Sequence, residues 1–166
     1  MQDVVIVTGA SSGIGSEVTE KLANKGYRVL AVASREKLLR RLYSFNKNIV
    51  PVVADPTSHE GARIIQKYLD REDGTVRCFV YSNPHRSASG ISKPSAQATL
   101  HLTEQLSHYF THAKVVLISS DKKPLQKDLE KNLYDSLKEA VDTTQLDIEL
   151  ICSQSVEQVV AEVAAA

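Results

Sequence analysis

Two rhythms of apolar and polar positions alternate along the chain. Short, nearly continuous apolar runs recur at Asp3–Thr8, Arg28–Ala33, Ile49–Ala54, Val76–Tyr81, Lys114–Ser119 and Asp147–Cys152. Runs of this kind read as strands buried on both faces of a parallel sheet. Between them the pattern changes to helical spacing, which predicts helices over Gly15–Asn24, Glu36–Tyr43, Glu60–Leu69, Pro94–Phe110, Gln126–Thr143 and Val156–Ala164. In the first of these, Ile14, Val18 and Leu22 fall four residues apart on one face, and Gly26 supplies a stop. Strict alternation of strand and helix predicts an α/β fold: a doubly wound parallel sheet of about six strands, helices on both faces, order 3-2-1-4-5-6. Pro51 lies inside the third run, which is unusual for a central strand and points to an early or edge position. The 166 residues are expected to form a single domain, 1–166, with enough chain for a substantial core.

The turn after the first run has the richest chemistry. It reads Thr8-Gly9-Ala10-Ser11-Ser12-Gly13-Ile14-Gly15, a T-G-x-x-x-G-x-G spacing between a strand and a helix. Gly9 permits a tight exit from the strand. Gly13 and Gly15 remove side chains that would hold a diphosphate off the backbone and the helix off the sheet. The helix then directs free N–H groups and its positive end at the phosphates. At the end of the second run, where a carboxylate would bind ribose hydroxyls, the chain has Ser34-Arg35. Arginine there suits a 2′-phosphate through charge-assisted bonds, with Ser34 adding a hydroxyl. A surface arginine heading a basic helix is the bland alternative, as Arg40 and Arg41 are.

The segment Thr8 to Gly15 resembles the cofactor fingerprint of the short-chain dehydrogenase/reductase family, and the likeness extends over nearly the whole chain. The resemblance implies a Rossmann-type fold, a nicotinamide cofactor and site residues that can be carried over position by position. Cofactor contacts would come from Thr8, Gly9, Ser11, Ser12, Gly13, Ile14, Gly15, Ser34, Arg35 and Asp55, and from Asn83 in the altered Tyr81-Ser82-Asn83-Pro84 stretch. With Arg35 in place, NADP(H) is favoured over NAD(H). The strand end Ile118-Ser119-Ser120 resembles the family's Ile-Ser-Ser and makes Ser120 the catalytic serine. Tyr134-Asp135-Ser136-Leu137-Lys138 follows as Tyr-x-x-x-Lys, two positions that share one helix face. Tyr43 and Lys47 repeat the spacing, but where the basic helix runs out.

These assignments imply hydride transfer to or from a small carbonyl or alcohol. Tyr134 would act as general acid/base, Lys138 would stabilise its phenolate and hold the nicotinamide ribose, and Ser120 would donate to the substrate oxygen. The alternative is an NADP(H)-binding sensor of the same fold with little or no turnover. It rests on features missing relative to the family pattern: a seventh strand, substrate-binding helices after strand six, and a Pro-Gly where Ser153-Gln154-Ser155 stands. An open site would also admit large planar substrates such as flavins or quinones. The helix Pro94–Phe110 lacks the relay asparagine of many members, leaving Gln97, His101 or a water to replace it.

Composition narrows the partners. Twenty basic residues balance twenty acidic ones, which argues against nucleic acid. No apolar run reaches membrane-spanning length, and no signal peptide precedes the first strand, so a cytoplasmic protein is expected. Cys78 and Cys152 fall in strand runs and read as small buried hydrophobes. His101, His108 and His112 could share one helical face, a solvated or subunit-facing stripe more readily than a metal site. Apolar faces carrying Leu100, Leu102, Leu106, Tyr109 and Phe110, and Leu129, Leu133, Leu137 and Val141, are wider than one sheet contact requires. Because this helix pair forms a two-fold interface in the family the chain resembles, the resemblance implies a homodimer.

Overall fold

The computed structural model describes residues 2–82, 93–118, 124–140, 146–149 and 155–166. Six strands form one parallel sheet: β1 (Gln2–Thr8), β2 (Arg28–Ala33), β3 (Ile49–Val53), β4 (Gly74–Ser82), β5 (Phe110–Ile118) and β6 (Leu146–Glu149). Their order is β3-β2-β1-β4-β5-β6, with every pairing parallel. The doubly wound arrangement read from the sequence is therefore the one the chain adopts. β3 lies at an edge, where Pro51 deprives no neighbouring strand of a donor.

Among the described residues six α-helices cover the sheet: α1 (Gly13–Asn24), α2 (Glu36–Phe45), α3 (His59–Glu72), α4 (Lys93–Leu106), α5 (Pro124–Ala140) and α6 (Val156–Ala164). Alternation along each strand divides the core in two. Val5, Val7, Val29, Cys78, Val80 and Val116 face α1, α2 and α6 through Val18, Leu22, Leu39, Leu42, Val159 and Val163. Val4, Ile6, Leu30, Phe79, Val115 and Leu117 face α3, α4 and α5 through Ile65, Leu69, Leu102, Leu106, Leu133 and Leu137. A strand buried on both sides needs apolar residues at every position, which is why these strands read as continuous runs rather than alternating ones.

Several boundaries differ from the sequence expectation. α1 starts at Gly13 because Ser12 is its extended N-cap (φ −163°, ψ 163°). α3 continues to Glu72, where Asp73 takes a left-handed conformation (φ 46°) and ends it. Glu72 grips Arg28 at the start of β2 through two bonds of 2.7 and 3.0 Å. The expected helix to Phe110 stops at Leu106 and closes with a 3₁₀ turn, Ser107–Tyr109. Phe110 opens β5 instead, opposite Val76, where its ring is buried in the core. The sheet thus takes a residue that the helical spacing claimed, because burying that ring outweighs one more helical turn. The helix expected over Gln126–Thr143 is present over Pro124–Ala140, and residues 141–143 lie outside the described residues. Leu102, Leu106, Leu133 and Leu137 pack onto the sheet, and among the described residues the exposed large hydrophobics are Tyr43, Phe45 and Val53.

Two features tie the first turn to the sheet. Gly9 adopts φ +64°, and a Cβ there would lie 2.3 Å from the carbonyl oxygen of Ser82 on β4. A Cβ on Gly15 would lie 2.2 Å from the carbonyl oxygen of Gly9, so the helix start presses directly on the turn. Cys78 is fully buried, and desolvation pushes its thiol up to about 12.

Two measurements check this packing. Gly9→Ala combines left-handed strain with a backbone clash and should cost at least about 2 kcal/mol, whereas Gly26→Ala, also at positive φ but with nothing within 4 Å, should cost about 1 kcal/mol; urea midpoints separate the two. Iodoacetamide should leave Cys78 unmodified in the native protein and label it after unfolding, as read by peptide mass mapping.

Candidate functional site

The order β3-β2-β1-β4 reverses direction between β1 and β4, and at the carboxyl end of such a switch point a crevice opens. The glycine turn lines it. Ala10 donates to the Val32 carbonyl at 3.2 Å, holding the turn against the end of β2. Ser12 gives α1 no side-chain cap, and no acidic residue occupies its first turn. The opening N–H groups of α1 therefore keep their capacity for an anionic acceptor. Thr8, at the strand end, has a fully buried hydroxyl with no hydrogen-bond partner. Ser16 and Thr19, by contrast, bond back to the Gly13 and Gly15 carbonyls at 2.9 and 2.8 Å and are spent within the helix.

Arg35 reaches across to the same turn. Its Nε donates to Ser11 Oγ at 3.2 Å and one terminal nitrogen donates to Ser12 Oγ at 2.7 Å. The guanidinium therefore stands over the head of α1, with Ser34 exposed beside it. Twenty-four positions separate Arg35 from Ser11, so sequence spacing gave no sign of this link. Next to it lies a cleft of about 290 Å³ between α1 and α2, lined by Ser11 and Ser16 on one wall and Leu38, Arg41 and Phe45 on the other. Arg41, read from the sequence as a plain surface cation, thus lines a cleft that Ser11 also reaches.

A dinucleotide phosphate fits this donor set. The uncapped start of α1 and the Arg35 guanidinium meet at this turn. Adding a Cβ at Gly9 or Gly15 would fill backbone space, which is the same constraint that keeps the turn low. Asp55 follows β3 with its carboxylate engaged locally: Oδ1 accepts from Thr57 N at 2.9 Å and Thr57 Oγ1 at 2.6 Å. The cap of α3 is Ser58, whose Oγ accepts from Gly61 N at 2.9 Å, so Asp55 shapes the turn rather than capping the helix. Asn83 and Ser120 lie outside the described residues.

Tyr134 sits on α5, half-buried against the core shared with α3 and α4. Lys138 is exposed, its Nζ 4.4 Å from the Tyr134 ring centroid, so the two form the pair their spacing predicts. Lys47 stands in the same way over Tyr43, at 3.9 Å. Location separates the pairs. The Lys47 carbonyl accepts from Arg28, the first residue of β2, which places the Tyr43 pair at the amino ends of the strands, away from the crevice.

The histidine stripe does not form. His101 is on α4, His108 in the 3₁₀ turn and His112 in β5 with φ +55°, so no single helix presents all three. His101 Nε2 instead lies 3.2 Å from His59 Nδ1 on α3, which directs that imidazole nitrogen away from the relay role considered for it.

Comparison with known proteins places this geometry. The short chain dehydrogenase family model matches residues 3–99. An uncharacterized short-chain type dehydrogenase/reductase of Sinorhizobium fredii is 49% identical over 53 residues, 32% of this chain and 21% of that protein. The NADPH-dependent 1-acyldihydroxyacetone phosphate reductase of Saccharomyces cerevisiae is 35% identical over 106 residues, 61% of this chain and 34% of that protein. The matched stretches thus span well under half of these relatives' own length. A metagenomic short-chain oxidoreductase, solved in complex with NADP, superposes with a TM-score of 0.72 at 19% identity, covering 99% of this chain and 91% of that one. The family match runs from β1 into α4 and takes in the glycine turn, the Arg35 corner and the switch point together; the chain belongs to the short-chain dehydrogenase/reductase family.

Proposed function

We propose that this chain is an NADP(H)-dependent oxidoreductase acting on a small carbonyl or alcohol. The observation that carries the cofactor preference is the Arg35 guanidinium spanning Ser11 and Ser12 at the head of α1. A cation held there by two hydroxyls is positioned for a 2′-phosphate, and it offers nothing to a free ribose 2′-hydroxyl that a carboxylate would not do better. The yeast relative's NADPH dependence and the NADP complex of the metagenomic neighbour support the same reading.

Thr8, Gly9, Gly13, Ile14 and Gly15 would hold the diphosphate, and Ser34 and Arg35 the 2′-phosphate, while Asp55 would meet the adenine amino group and Asn83 would keep part of the family's contact after β4. When bound, the cofactor supplies or accepts the hydride. The chain's own residues manage charge and protons. Tyr134 passes a proton to the substrate oxygen in reduction and takes it back in oxidation. Lys138, held against the Tyr134 ring, would bind the nicotinamide ribose hydroxyls. Ser120 donates a hydrogen bond to the oxygen on which negative charge develops.

Tyr134→Phe should lower kcat by about 10²- to 10⁴-fold while NADPH binding, followed by fluorescence titration, stays intact; retained turnover against a panel of aldehydes, ketones and quinones would refute the assignment. Arg35→Ala should weaken NADPH binding by roughly ten- to a hundredfold, as expected for a lost charge-assisted hydrogen bond, and leave NADH binding nearly unchanged; an equal loss for both cofactors would remove the 2′-phosphate role.

A further inference from the structure

We propose that His59 and His101 form a divalent transition-metal site that bridges α3 and α4, taking zinc or a similar borderline ion. His59 is the first residue of α3 and His101 lies on α4, 42 positions later, yet their rings meet edge to face with centroids 4.3 Å apart. Nδ1 of His59 and Nε2 of His101 are 3.2 Å apart. Two imidazole nitrogens bound to one tetrahedral zinc at about 2.0–2.1 Å stand roughly 3.3–3.4 Å from each other. The observed separation is therefore already that of a ligand pair.

Without metal, the same two nitrogens share one hydrogen bond, one ring donating and the other accepting. Binding asks only that the donor ring carry its proton on its other nitrogen and that each ring swing by about 35° so that both lone pairs converge on the ion. Neutral imidazoles need release no proton for this. His59 is exposed and His101 half-buried, so the ion has access from solvent. Glu60, also in the first turn of α3, offsets the positive helix end that would otherwise disfavour a cation there.

Among the described residues no third histidine, cysteine, aspartate or glutamate completes the set, so water fills the remaining positions. That makes the site one for zinc, nickel or copper, which favour imidazole, and not for magnesium, which requires oxygen ligands. Occupied, it ties α3 to α4, the helix that packs beside α5 and Tyr134.

Isothermal titration of zinc chloride into the whole chain, at mildly alkaline pH, tests this. One saturable site is expected, with no heat from magnesium chloride. His59→Gln and His101→Gln should each weaken zinc binding by about tenfold or more, while His108→Gln leaves it unchanged. Zinc should raise Tm in the parent protein and not in the double variant His59→Gln/His101→Gln. Imidazole proton resonances in the parent protein give a readout that needs no variant: zinc should perturb two of the five histidines, those of positions 59 and 101. Absence of saturable binding, full binding in both single variants, or zinc shifts confined to other histidines would overturn the site.

Discussion

Backbone pressed against backbone at the end of β1 sets the geometry of this protein. Gly15 rests on the Gly9 carbonyl, and Gly9 in turn rests on the Ser82 carbonyl at the end of β4. Side chains at either position would force the helix away from the sheet and part the two strands at the switch point. The same approach keeps the turn low, with the Arg35 guanidinium bonded across it to Ser11 and Ser12 at the head of α1. One steric constraint therefore sets both the packing of α1 on the sheet and the shape of the turn.

Around that point the molecule is held by two apolar layers and a few well-placed charges. Each layer uses one side of every central strand, so a residue's face follows from its parity along the strand. Charges fix the ends. Arg28 and Glu72 join the start of β2 to the end of α3. Lys114, buried in β5, places Nζ 3.0 Å from Glu162 of α6, while Lys21 of α1 pairs with Glu157 at the start of α6. A buried ammonium needs such a partner because the apolar layer around it offers no solvation. These contacts seat α6, whose own valines fill the layer beneath it.

The half of the molecule carrying Tyr134 is built by different means. No glycine contact positions the phenol; Leu133 and Leu137 on either side of it bury into the layer shared with α3 and α4, and the tyrosine is carried along between them. Lys138, one turn on, stays in solvent against the ring. The Tyr43 pair, with Lys47 over its ring, adopts the same arrangement elsewhere in the chain. What distinguishes Tyr134 is the layer it belongs to and the strand it follows.

Strand positions and the glycine conformation of the first turn were legible in the sequence because each is encoded locally, and the order of the sheet followed from the alternation of strand and helix. A strand buried on both sides must be apolar throughout, a left-handed turn calls for glycine, and a proline inside a strand run marks an edge. Three features were not legible, because each depends on residues distant in the chain meeting in space. The sheet takes Phe110, because burial opposite Val76 outweighs helical spacing. Arg35 crosses to Ser11 and Ser12 because the turn is pinned to β2 through Ala10 and Val32. His101 finds His59 rather than its neighbours in sequence because α3 and α4 lie on one face of the sheet. Periodicity and turn chemistry act over a few residues and fix which elements form; only the closing of the sheet decides which side chains meet across it.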